Sequence, residues 1–406
     1  MITMKRAIVL LLSIAFLLNF ANVTGAAQHD MSSVMKQIIV LPKKTTNQAE
    51  ADNMVARLAS INYFILKALA NENGKIKLVD GPITDEPEYQ HLKGVTPRGW
   101  ENTGKTWDDI PGVGGNPVIV RIGYSEYNKG HGSINLKLHE TAHAIDGLVF
   151  DNISDTKAFL TIWKQEVNQS YKGNPYFTEY PEEYFAESFA KYYLNVDSKK
   201  ELKEKTPLTY QFIEELTRIA ILKQFTDVKG HWAEKTIVNL INEGIVAGDN
   251  HSKFNPNQKI TREQFIKLLV ESQGYQLVKG KQTFTDVSST RWSNPYIEAA
   301  VEHEIIIPSE YRSSFAPNEP ISRLEMAVFA SRALQLVEDE GKLSFIDSNA
   351  VTENRGLVGA AVNAKIITGF QDNSFRPMDT ATRAEATVII QRIINYRGAA
   401  QVDQAA

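Results

Sequence analysis

The sequence predicts an α+β chain built in two parts, and three observations lead there. Up to about Ile219 the chain is non-repetitive and alternates helical apolar spacing with Pro/Gly-rich loops and short β-like runs. After about Phe225 a repeat of near sixty residues takes over, with amphipathic helical patterns inside each copy. At 406 residues the chain also exceeds what one ordinary core organises, so two or three domains are expected.

In the first part, a helix is expected over about Ala49 to Asn71, where Ala51, Met54, Leu58, Ile61, Ile65 and Leu69 recur at helical spacing. Long loops follow, through Pro97-Arg98-Gly99-Trp100 and Ile110-Pro111-Gly112-Val113-Gly114-Gly115, with the clearest strand from Pro117 to Ile122. Ile134, Leu138, Ala142 and Ile145 then mark an apolar helical stripe, with Ser133 expected to cap its start and Gly147 its end. Pro181 fits the first position of a later helix whose first turn is acidic.

Composition narrows the functional classes. Hydrophobic residues at 43% and charged residues at 23% are those of a globular protein. A net charge of -4, with no basic run, excludes nucleic acid as a partner. Lys5 and Arg6 precede an apolar run from Ala7 to Phe20, then Thr24-Gly25-Ala26-Ala27, the layout of a secretory signal peptide with cleavage after Ala26 or Ala27. The run is short of the roughly 20 residues of a spanning helix, and no later segment is long and apolar enough to cross a bilayer. Cysteine is absent, which removes disulfides and thiolate metal ligands and leaves His, Asp and Glu.

Those donors occur in a telling order. In His139-Glu140-Thr141-Ala142-His143, residues four apart share a helix face, so both imidazoles can reach one ion. Zinc bound this way needs a third protein ligand and keeps a position for water, whose proton Glu140 can take. Downstream, Glu183 and Glu187 share one helix face while Phe185 and Phe189 line another. Two carboxylates beside a buried wall call for a cation, the plainer alternative being a solvated acidic face.

Taken with Tyr176, seven residues before Glu183, and the run Glu183-Tyr184-Phe185-Ala186-Glu187, these residues resemble the catalytic domain of anthrax lethal factor and its relatives. Within that group the chain looks closest to the secreted Pro-Pro endopeptidases of Gram-positive bacteria. The resemblance implies a zincin-like metalloprotease domain, mostly helical with a small mixed sheet. It implies one zinc ion per chain on His139, His143 and Glu183, with Glu140 as general base and Tyr176 as hydrogen-bond donor to the oxyanion. Tyr180 is a rival for the phenol role. Glu187 and Asp146 would orient ligands from behind. Arg98-Gly99-Trp100 resembles the substrate loop of these enzymes, with Trp100 packing on prolines and Glu182 pairing with Arg98, where a relative has lysine. Trp100 as a core aromatic is the alternative.

In the second part, Phe225-Thr226-Asp227-Val228 recurs as Phe284-Thr285-Asp286-Val287 and as Phe345-Ile346-Asp347. Each copy closes on a second string: Ile260-Thr261-Arg262-Glu263, Ile321-Ser322-Arg323-Leu324-Glu325, and Ala381-Thr382-Arg383-Ala384-Glu385. With His231-Trp232 and Arg291-Trp292, these resemble S-layer homology modules, which implies a mainly α-helical, pseudo-threefold unit holding an anionic secondary cell-wall polysaccharide. Asp227, Trp232, Arg262, Asp286, Trp292, Arg323, Asp347 and Arg383 are the polymer-binding candidates. The alternative is that the three arginines are salt-bridge partners of their neighbouring glutamates. The third copy lacks the tryptophan, having Ala350 to Arg355 in its place.

The expected organisation is a signal peptide over 1–26, a catalytic domain over 32–220, and three modules over 222–280, 281–341 and 342–397. The expected function is a secreted zinc endopeptidase, anchored to the Gram-positive wall, that hydrolyses Pro-Pro bonds in proline-rich extracellular proteins. A broader lethal factor-like protease and a non-catalytic S-layer protein are the alternatives.

Overall fold

A computed structural model describes residues 29–405 apart from 46, 99 and 250, so the expected signal peptide lies outside the described residues. The chain forms two compact units, His29–Gln224 and, among the described residues, 225–405. No helix of the described residues is long and apolar enough to cross a membrane.

The first unit is helical around a four-stranded sheet, as the fold class requires. Helix α1 (Met31–Ile38) runs into β1 (Ile39–Val40), followed by α2 (Gln48–Leu58), α3 (Tyr63–Asn71) and β2 (Ile76–Val79). Strands β3 (Gly112–Val113) and β4 (Val118–Arg121) complete the sheet in the order β1-β2-β4-β3. The first three of these are parallel, with Ile76 opposite Val118, and β3 is antiparallel at the edge, with Gly112 opposite Val120. Val118, Ile119 and Val120 are fully buried, the continuous apolar run expected of a strand covered on both faces.

The single helix expected over Ala49 to Asn71 is two helices. Asn62 caps the second by accepting the Phe64 amide, and the Ser60 hydroxyl turns back to carbonyls of Arg57 and Tyr193. Apolar periodicity runs through this break because Ile61 is itself buried. The helix carrying the histidines, α4 (Leu136–Ala144), starts later than Ser133 suggested. The chain stays extended through Asn135, which pairs with Glu126, and the Leu136 amide bonds the Ser125 carbonyl. Gly147 does not end it either, since the backbone widens into a π turn over Ile145–Val149.

Helix α7 (Pro181–Leu194) packs along α4, and α5 (Lys157–Tyr171), the short α6 (Pro175–Thr178), α8 (Val196–Lys205) and α9 (Pro207–Gln224) pack against α7. Pro181 is indeed the first residue of α7, where its missing N–H costs nothing. Tyr184, Phe185 and Phe189 of α7 are buried. Buried Glu166 of α5 accepts the first amides of α9 from Leu208 (2.9 Å) and Thr209 (2.8 Å), so a charge is buried only with its hydrogen bonds made.

The second unit repeats a pair of helices three times: α10 (Glu234–Asn242) with α11 (Arg262–Gln273), α12 (Asn294–Glu302) with α13 (Arg323–Ala333), and α14 (Arg355–Asn363) with α15 (Arg383–Ala405). Three backbone hydrogen bonds, each 3.1 Å, close the copies into a ring: Ile321 N–H to Ile260 O, Ala381 N–H to Ile321 O, and Ile260 N–H to Ala381 O. Pseudo-threefold closure therefore comes from the residue that precedes each Thr/Ser-Arg pair.

The repeated aspartates pin one loop per copy. Asp227 accepts the amides of Phe254 and Asn255, Asp286 those of Phe315 and Ala316, and Asp347 those of Phe375 and Arg376, all at 2.7–3.1 Å. Burial opposes the charge on Asp286 and Asp347, but these amides outweigh it and lower both pKa values. A carboxylate with a depressed folded pKa stabilises above its unfolded pKa and loses that contribution as pH falls through the folded value. Unfolding of the second unit, followed by circular dichroism, is thus expected to be acid-sensitive below about pH 4. Asp286→Asn is expected to cost at most about 1 kcal/mol at neutral pH, solvent screening an exposed carboxylate, and to flatten that sensitivity.

Candidate metal centre and active site

Helices α4 and α7 bring three donors to one point. His139 Nε2 lies 3.0 Å from Glu183 Oε2, His143 Nε2 lies 3.3 Å from the same oxygen, and the two Nε2 atoms are 3.3 Å apart. His139 Nδ1 is held at 3.1 Å by Glu187 Oε2, whose other oxygen accepts the Ile134 amide (2.9 Å). With Nδ1 donating to Glu187, His139 turns Nε2 toward the acceptor Glu183 Oε2, so positive charge, a proton or a metal ion, is called for between them.

These residues suit a divalent ion. Ligand atoms placed tetrahedrally at about 2.0–2.1 Å from zinc stand about 3.3 Å from one another, which matches the three separations here. Among the described residues this is the one His/Asp/Glu group of three with such convergence. The electrostatics express the same demand. Burial disfavours the charged imidazole of His139, yet hydrogen bonds to Glu183 and Glu187 push its pKa up to about 10. Burial likewise opposes charge on Glu183, and His139 and His143 overcome it and hold the carboxyl well below its usual range. Both groups are shifted toward the state in which positive charge sits at this point.

Glu140 follows His139 on the helix and borders the same space. Burial raises its pKa, against the pull of the two histidines. Edge strand β3 lies directly on this face of α4. A Cβ on Gly112 would meet Glu140 Cγ at 3.1 Å, and one on Gly114 would meet His143 Cβ at 2.7 Å. These two glycines were not singled out from the sequence, where they read as loop punctuation. Their alternation beside a strand was the available signal for a close backbone approach.

The remaining candidates divide by what they touch. Burial of the Tyr176 phenol, on α6, pushes its pKa up, and the charges of Glu183 and Glu140 add to that. Tyr180, the rival phenol, lies under the Arg98 guanidinium, 3.9 Å from the ring centre. Arg98 Nη2 also bonds Glu182 Oε1 (2.9 Å) and reaches Glu183 Oε1 (3.5 Å), so the loop bearing it is tied to the first turn of α7. Trp100 is half-buried, with the Lys105 ammonium 5.1 Å from its ring. Asp146 accepts hydrogen bonds from the amide and hydroxyl of Ser154, and burial raises its pKa against these bonds and the nearby His143.

In the second unit, the three arginines each reach into the next copy. Arg262 donates to the carbonyls of Phe315 and Ala316, Arg323 to Phe375 (2.9 Å) and Thr368 (2.7 Å), and Arg383 to Phe254 (2.8 Å) and Ala247 (2.9 Å). None pairs with the glutamate beside it in sequence. Trp232 is 68% exposed and Trp292 51%.

Comparison with known proteins agrees with both halves. The family "Anthrax toxin lethal factor, N- and C-terminal domain" matches residues 26–216, and "S-layer homology domain" matches 224–266, 283–327 and 354–387. A Pro-Pro endopeptidase from Clostridioides difficile is 47% identical over 52% of this chain and 97% of its own length. One from Paenibacillus alvei is 45% identical over 52% of this chain and 97% of its own. The solved structure of a Pro-Pro endopeptidase from Paenibacillus alvei aligns with 49% identity and a TM-score of 0.44, covering 45% of this chain and 99% of that one. With nearly the full length of two such enzymes matched at this identity, the chain belongs to the Pro-Pro endopeptidase family.

Proposed function

We propose that this chain is a secreted, wall-anchored zinc endopeptidase that hydrolyses the bond between two prolines in extracellular or surface proteins. The observation that carries it is the His139–His143–Glu183 cluster, set within the segment matched to the Pro-Pro endopeptidases. S-layer homology matches over the second unit support retention at the cell surface through an anionic wall polysaccharide.

In this reading His139, His143 and Glu183 hold one zinc ion, and Glu187 fixes the His139 ring from behind. When bound, zinc supplies Lewis acidity that acidifies a water and polarises the scissile carbonyl. Glu140 takes the proton of the attacking water as the new C–O bond forms. It returns that proton to the departing prolyl nitrogen as the C–N bond breaks. A carboxyl whose pKa is raised by burial suits both transfers. Tyr176 donates its phenol hydrogen to the developing oxyanion, and its raised pKa keeps that proton in place. Asp146 acts one step further out, pinning Ser154 against the turn that follows the histidines.

The substrate reading rests on the loop carrying Arg98 and Trp100. A bond between prolines has no N–H to donate, and the peptide around it is stiff and extended. Recognition then needs shape and aromatic surface, which Trp100 offers, while Arg98 with Glu182 holds the loop against α7.

Glu140→Ala is expected to abolish turnover of a Pro-Pro peptide while one zinc per chain remains by metal analysis. Tyr176→Phe should lower kcat about 10²–10³-fold with KM little changed. Glu187→Ala should weaken zinc affinity about 10–100-fold in a chelator competition. In a peptide library, cleavage should be confined to Pro-Pro bonds. Cleavage mainly at other bonds would favour a broader lethal factor-like protease, and a chain without zinc or turnover a non-catalytic surface protein.

A further inference from the structure

The turn 114–117, between β3 and β4, touches the metal centre at one end and a tyrosine at the other. Gly114 donates its amide to the Glu140 carboxylate and passes so near His143 that a Cβ there would meet His143 Cβ at 2.7 Å. At the next residue, a Cβ on Gly115 would meet the Tyr89 hydroxyl at 2.5 Å. Gly115 also has φ +142°, a backbone conformation that side chains rarely adopt. The same Tyr89 hydroxyl donates to the Pro117 carbonyl at 2.8 Å.

Tyr89 is itself fixed to the sheet. Its ring packs, as does that of Trp107, on the buried cluster of Val79, Ile83, Val113 and Ile119. Its amide bonds the Glu86 carbonyl at 2.9 Å, and the segment before it is tied to β2, because Lys77 Nζ bonds Glu86 (2.8 Å) and Glu88 (2.9 Å). The turn has a further tie in Asn116, whose Oδ1 accepts the Lys75 amide at 3.1 Å just before β2. Trp107 closes the neck of the loop bearing Arg98 and Trp100, its amide bonding the Val95 carbonyl at 2.9 Å. The base of the substrate loop and the turn beside Glu140 thus rest on the same two aromatic residues.

The Tyr89 phenol is a donor with no part in the proton transfers described above. Burial raises its pKa and the charge of Glu140 adds to that, so the proton stays on the hydroxyl that holds Pro117. What the hydroxyl controls is distance. A general base acts only when it is held within hydrogen-bond reach of the water it deprotonates. A shift of about one ångström in a supporting group is enough to cost catalysis. Glu140 takes its backbone hydrogen bond from Gly114, and Gly114, having no side chain, is placed only by the turn to which it belongs.

We infer that Tyr89 is a positioning residue for the general base, its hydroxyl holding turn 114–117 where the Gly114 amide meets Glu140. The inference rests on the reading of Glu140 as that base. Glycine at 114 and at 115 follows from the same requirement. The chain must pass against His143 at one residue and against the Tyr89 hydroxyl at the next, and neither approach leaves room for a side chain.

Steady-state kinetics of the full zinc-loaded chain on a Pro-Pro peptide, with metal analysis and thermal unfolding by circular dichroism, test this. Tyr89→Phe keeps the ring on its apolar cluster and removes only the hydroxyl. It should lower kcat about tenfold, the scale of one hydrogen bond, with KM within about twofold of wild type. One zinc per chain should remain, and the thermal midpoint should stay within about 4 °C of wild type. Gly115→Ala should lower kcat more than Tyr89→Phe does. Its added loss should be much smaller in the Tyr89→Phe background, where the hydroxyl its Cβ would strike is gone. Unchanged kcat in Tyr89→Phe, a raised KM without loss of kcat, lost zinc, or single-variant losses that multiply in the double variant would each overturn the assignment. A wild-type chain without turnover, or one that keeps turnover after Glu140→Ala, would instead defeat the reading of Glu140 as the base.

Discussion

Three potential metal-ligating atoms held about 3 Å apart are the constraint on which the first unit depends. Nε2 of His139, Nε2 of His143 and a Glu183 oxygen meet at a point that calls for positive charge, as the raised pKa of His139 and the lowered pKa of Glu183 both express. They are kept together because α7 packs along α4 while its other side is anchored by buried aromatic side chains, Tyr184 and Phe185 lying against Phe159 of α5. Apolar packing thus imposes a polar convergence that the site alone would not choose. Glu187 extends the arrangement outward by holding His139 and, through the Ile134 amide, the strand-like lead into α4.

The second unit works by a different constraint, closure of a ring. Its three inter-copy backbone bonds repeat at one length, and each repeated arginine donates to two carbonyls of the next copy. What varies is the charge around them. Arg262 also pairs with Glu325 at 2.7 Å, whereas Arg323 and Arg383 place both Nε and Nη2 on carbonyls. Repeats that share one backbone geometry can therefore differ in chemistry through one or two side chains.

Much of the first unit was legible because the relevant signals are local. The four-residue spacing of His139 and His143, Pro181 at a helix start and the Phe185/Phe189 stripe each depend only on helix geometry. The signals that misled were local as well. Ser133 has the right side chain for a cap, but pairing of Asn135 with Glu126 and the Glu187–Ile134 bond keep the chain extended past it. Buried Ile61 carried helical periodicity through a break between two helices. Gly112 and Gly114 carry their meaning only once β3 lies on α4, and no spacing rule reveals that contact.

By itself, the sequence determined the donor types, the two-part organisation and the repeat, since residue identity and helical period are properties of the chain. It also determined that metal ligands here must be His, Asp or Glu, because no cysteine exists. Tertiary structure alone decided which ligand atoms meet, that Asp146 accepts the Ser154 amide and hydroxyl, and that the repeated arginines bond the next copy's carbonyls. The reason is physical. Hydrogen-bond partners across 45 to 136 residues are selected by packing, which sums many weak contacts over the whole unit and leaves little trace at any one position.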